Sequence, residues 1–79
     1  MPLPNFHVCR IVSPGRFQEG SFRNITRGRG ENRVQLVIAR KKGQTTTSTQ
    51  SVRYPIDVWS VDRAERHCKE LEGTFERAS

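Results

Sequence analysis

The run Val-Gln-Leu-Val-Ile-Ala-Arg-Lys at residues 34–41 constrains the fold more than any other feature of the chain. Val34, Leu36 and Ile38 fall on one face of an extended backbone, while Val37 and Ala39 keep the opposite face mostly apolar. A strand that is apolar on both faces belongs inside a sheet, covered from both sides. Lys42-Gly43-Gln44 then turns the chain, and the Thr-rich residues 45–54, ending in Val52 and Tyr54, suit a pleated surface. Together these segments read as an antiparallel hairpin with one solvated side, closed by Pro55, which cannot donate a ladder hydrogen bond.

The remaining elements arrange themselves around that hairpin. Phe-His-Val-Cys-Arg-Ile-Val at residues 6–12 is a first strand, stopped by Ser13-Pro14-Gly15. Phe17 and Phe22 flank Glu19-Gly20-Ser21 in an irregular connection that the two rings pin to the core. Residues 27–32 carry two glycines and no apolar side chain, so residues 24–33 are expected as a flexible basic loop, and residues 1–5 as a flexible end. Ser60 is a natural N-cap, Asp62 complements the helix dipole, and Trp59 stands where it can fold onto Ala64. Val61, Ala64, Cys68 and Leu71 form one apolar stripe, Glu65 and Lys69 a favourable pair, and Gly73 the left-handed residue past the helix end. Phe75 returns to the core as a short last strand or an extended tail. The expected fold class is therefore α+β: a small antiparallel sheet of three strands, or four if the tail pairs, covered by one C-terminal helix in a single domain, 1–79.

A chain of 79 residues buries roughly 60% of its unfolded surface, which leaves a thin core and little room for a deep catalytic cleft. No stretch approaches the ~20 apolar residues of a membrane helix, so no membrane partner is expected. The opening Met-Pro-Leu-Pro-Asn has neither a basic nor an apolar leader segment, which implies a cytoplasmic setting, or the host cytoplasm for a viral protein. In that setting Cys9 and Cys68 are expected as thiols in the core, with a disulfide tying the first strand to the helix as the alternative. The net charge of +6 is concentrated: between residues 23 and 42, seven basic residues stand against Glu31 alone, and the rest of the chain is balanced.

That basic segment, Arg23, Arg27, Arg29, Arg33, Arg40, Lys41 and Lys42, with Arg53 beside it, supplies the candidate binding residues. They form one patch if the Arg-Gly-Arg-Gly loop folds over the hairpin turn, and they suit either phosphates or an acidic protein surface. No helix-turn-helix, paired zinc ligands or aromatic RNA-binding signature accompanies them. His7, Cys9, His67 and Cys68 are weighed as zinc ligands and set aside, because neighbours on a helix diverge by about 100°. Cys68 with a histidine would make a nucleophile and base, but it lies on the buried stripe while His67 points elsewhere. Gly28-x-Gly30 lacks the lysine-serine ending of a phosphate loop. No catalytic residue, cofactor or metal is expected, and Trp59 is read as packed against the helix start.

Thr-Gln-Ser-Val-Arg-Tyr-Pro (49–55), followed by Trp59-Ser60 opening a helix with Ala64, resembles a small module of phage and prophage proteins that also occurs in bacterial and archaeal hypothetical proteins. Ser21-Phe22-Arg23 and the apolar run 34–42 precede the motif as in those relatives, and the likeness spans about residues 8–76. The chain departs from it at His67-Cys68 and Gly73-x-Phe75, where many relatives carry a second aromatic in the helix. Relatives of this kind often lie beside head-morphogenesis genes or within larger phage proteins and carry no assigned activity. The resemblance implies the fold and a mobile-element setting, with no catalytic residue. The expected function is a non-enzymatic interaction or structural module that binds a protein or a second copy of itself. The alternative is sequence-independent binding of DNA or RNA through residues 23–42.

Overall fold

The structure is a computed structural model that describes residues 4–78. Its elements are β1 (Phe6–Arg10), β2 (Arg23–Arg27), β3 (Val34–Arg40), β4 (Thr47–Pro55), α1 (Val61–Glu70) and β5 (Thr74–Glu76), with short 3-10 turns at Pro14–Arg16 and Gly30–Asn32. The strands form one antiparallel sheet in the order β2-β3-β4-β1-β5. The α+β class, the 34–54 hairpin and the single covering helix are as the sequence implies, but the sheet has five strands rather than three or four. Residues 24–27, expected as the start of the flexible loop, instead belong to β2, which pairs with β3 as an edge strand. The tail pairs with β1 as β5, and Phe75 packs against the core. Of the end expected to be flexible, residues 1–3 lie outside the described residues; the Asn5 carbonyl accepts from the Ile56 N–H at 3.2 Å.

β3 is an interior strand, as its two apolar faces require, and β4 sits at the centre of the sheet. β4 is less solvated than its threonines suggest: Ser51 is 6% exposed and Val52 2%, on opposite faces. The pairing slips between Val37 and Ile38, leaving Gln50 as the extra residue of a bulge. That bulge anchors the crossing of the first connection, because the Gln50 carbonyl accepts from Ile11 and Val12 while its Nε2 donates to the Val12 carbonyl at 3.0 Å. The connection then carries Phe17 opposite Lys41, on the face of Val37 and Ala39. Phe17 is buried there with Phe22 beside it at 5.7 Å between ring centroids, so this segment covers the sheet opposite the helix.

On the other face, Cys9, Val52, Tyr54, Trp59, Ala64 and Cys68 form the main core. Ser60 caps α1 by accepting from the Arg63 N–H at 3.2 Å. Ala64 and Cys68 are the buried helix positions, whereas Leu71, expected on the same stripe, is 38% exposed because the helix ends over the sheet's flank. The thiol expectation is also corrected. Cys9 and Cys68 form a disulfide with Cα atoms 5.4 Å apart, since both occupy inward positions where β1 and α1 meet. The helix end differs as well: the left-handed residue is Glu72, at φ 58°, and not Gly73. Gly73 is required for a different reason, because a Cβ there would collide with Cys9 Sγ and lie 2.9 Å from the Arg10 carbonyl.

Candidate functional site

Strand register sorts the basic residues onto different surfaces. Arg23 stands opposite Ile38, Ile25 opposite Leu36 and Arg27 opposite Val34. Directly opposed residues share a face, so Arg23, Ile25 and Arg27 project on the helix side together with Val34, Leu36, Ile38 and Arg40. Arg23 and Arg27 are four residues apart, about 13 Å along the strand. Arg53 stands opposite Val8 and Gln35 on the reverse face. Lys41, opposite Phe17, lies there too, and Lys42 lines a shallow cleft with Pro14, Phe17 and Phe22. The loop at 28–33 and the turn at 41–46 lie at opposite ends of β3, about 20 Å apart. The single patch that required the loop to fold over the hairpin turn is therefore replaced by a row: Arg27, Arg23 and Arg40 share one face, with Arg29 and Arg33 beyond its end.

The loop is exposed but fastened. Arg63 donates to the Glu31 carbonyl and to Asn32 Oδ1, both at 2.8 Å, and Trp59 Nε1 donates to the Arg33 carbonyl at 2.8 Å. Arg63 lies 4.0 Å over the Trp59 ring, which also packs against Tyr54 at 4.8 Å and His67 at 5.6 Å between centroids. Trp59 is packed, as expected, and its role extends to holding the basic loop against the start of α1. Arg33 bonds Asp57 at 3.4 Å and is, among the described residues, the one candidate with a carboxylate partner. Among the described residues, Arg23, Arg27 and Arg40 project from the sheet without one.

α1 lies over β1 and β5, with His67 above Tyr54 of β4, so the β2–β3 half of this face is left open. A groove of about 370 Å³ runs between helix and sheet, lined by Val34, Leu36, Thr49 and Val52 below and His67 and Leu71 at the side. A second cleft, of about 270 Å³, opens where Arg23 and Arg40 meet Ile38, Thr47, Gly20 and Ser21. No carboxylate lines either one. The result is an apolar floor rimmed by unneutralised guanidinium groups, ending at the unpaired edge of β2.

The groups weighed for chemistry are occupied. Cys9 and Cys68 are bonded to each other. His67 Nδ1 shares a 2.7 Å hydrogen bond with the Tyr54 hydroxyl, whose pKa burial pushes up to about 12, so the phenol stays neutral. His7 Nδ1 accepts from the Ala78 N–H at 2.9 Å, and burial, aided by the Arg77 charge, lowers the His7 pKa. Sequence reasoning missed Ile25 and Leu71 as surface-forming residues and Arg63 as the clamp. The alternation Arg-x-Ile-x-Arg at 23–27 is a period-two signal that could have revealed the first.

No family model, no curated protein and no solved structure matches the chain.

Proposed function

We propose that this protein is a non-enzymatic interaction module whose open sheet flank, β2 and β3, docks an acidic segment of a protein partner. The observation that carries the reading is the coincidence of three features on one surface: a free sheet edge, an uncovered apolar groove, and Arg23, Arg27 and Arg40 without local carboxylates. An apolar strip that α1 leaves open suits burial by a partner, and the arginines select one of opposite charge. The phage or prophage setting implied by the resemblance fits a small adaptor of this kind.

Self-association is the weaker form of the same idea. Antiparallel pairing of two β2 strands about Ile25 would set each Arg23 opposite an Arg27 of the other copy, and like charges directly opposed destabilise a sheet. Sequence-independent binding of DNA or RNA is the second reading, favoured by the cleft that Arg23 and Arg40 share. Against it, the groove floor is aliphatic, and its one flanking ring, His67, is packed against Tyr54 and Trp59.

Fluorescence anisotropy separates these readings. A labelled acidic, valine-containing peptide and a labelled 20-base-pair duplex are titrated with the full chain between about 50 and 500 mM salt. The peptide should bind and keep part of its affinity at high salt through apolar burial. Duplex binding that falls steeply with salt, with no peptide binding, would overturn the assignment in favour of nucleic acid.

A further inference from the structure

The row of side chains on β2 specifies what an added strand must look like. We propose that β2 recruits its partner by strand addition, and that the recruited segment has the pattern acid-x-apolar-x-acid. This rests on the protein-docking reading above and deepens it to a binding mode.

β2 is an edge strand, so one row of its backbone N–H and C=O groups has no neighbour in the sheet. A strand laid along that row meets Arg23, Ile25 and Arg27 at positions two apart on the helix side. An apolar residue opposite Ile25 extends the apolar floor of Leu36 and Val34, and acidic residues two places before and after it face the two guanidinium groups. Cross-strand opposite charges and apolar pairs both stabilise such a ladder. The pattern is symmetric about its centre, so it reads the same for a parallel or an antiparallel strand. Asn24 and Thr26 point to the other face and place no demand on the intervening residues.

The occupant is a different protein rather than a second copy. The sequence has one pair of acidic residues four apart, Glu72 and Glu76, and the residue between them is Thr74, not an apolar one. Glu76 is moreover paired with Arg10 in β5. Nothing in this chain supplies the segment its own edge asks for.

The test uses the full chain and a capped heptapeptide, Thr-Glu-Thr-Val-Thr-Glu-Thr, with two relatives: a scramble in which the glutamates are adjacent, and a version N-methylated at alternate residues along one edge, prepared in both phases. The parent peptide should bind, slow amide exchange across residues 23–27, and bind the double variant R23A/R27A about tenfold more weakly. The scramble and one of the two N-methylated phases should bind at least several-fold more weakly than the parent. If the scramble and both N-methylated peptides match the parent, strand addition is wrong while acidic docking survives. If none of the peptides binds, both proposals fail.

Discussion

Breaking the Cys9–Cys68 bond is the perturbation whose size follows most directly from the structure. The bond joins the first strand to the helix across 59 residues, so it closes most of the chain into one loop. Loop-closure entropy for that length corresponds to about 4 kcal/mol of stability. A chain of 79 residues has a total stability of roughly 4–12 kcal/mol, so reduction removes between a third and all of it. The core is small enough to make this plausible, since two of its six buried residues are the bonded cysteines themselves. Trp59, buried against Tyr54, reports unfolding by fluorescence. In urea, with a slope of about 1 kcal/mol per molar, reductant should lower the midpoint by about 3–4 M or leave the chain unfolded without denaturant. A midpoint shift below about 1 M would refute the claim that the bond holds the helix to the sheet.

Other outcomes follow from single contacts. Gly73→Ala should destabilise by about 1–3 kcal/mol, seen as a lower thermal midpoint, because its Cβ must displace Cys9 Sγ or the Arg10 carbonyl. Glu72→Gly should do the reverse and raise stability by roughly 0.5–1 kcal/mol in the same assay, since Glu72 occupies a left-handed conformation at φ 58°. Arg63→Ala should speed amide exchange across residues 28–33 while leaving β3 protected, because the guanidinium group holds the loop through two hydrogen bonds. His7 has its pKa lowered in the fold by burial and by Arg77, so the native state binds its proton less readily than the unfolded chain. Its stabilising contribution is fully present above the unfolded value of 6.5 and is lost as pH falls through the lower folded value, which urea midpoints at pH 8 and pH 5 would show and His7→Gln would flatten.

How much of this was legible in the sequence depended on whether the signal was local. The 34–54 hairpin and the Ser60 cap are written in alternation and capping chemistry, and both stand in the structure. β2 was only faintly legible as a strand, because the alternation in Arg-Asn-Ile-Thr-Arg holds one apolar residue and its extended form comes from pairing with β3. Gly73 was assigned the left-handed position by composition, whereas the close approach of Cys9 decides its role, and Glu72, the residue after the Leu71 C-cap, takes the left-handed turn. The disulfide depended on a distance between residues 59 apart, which no local pattern encodes. Charge clustering between 23 and 42 was plain, but only strand register could divide those residues between faces.

The central claim is that the helix-free flank of the sheet is the docking surface. Backbone amide shift mapping by NMR, during titration with the Thr-Glu-Thr-Val-Thr-Glu-Thr peptide, tests it most directly. The account expects the largest changes at Arg23, Ile25, Arg27, Leu36 and Ile38, with Leu71 at the margin. Changes centred on Lys41, Lys42 and Arg53, on the reverse face, would contradict it.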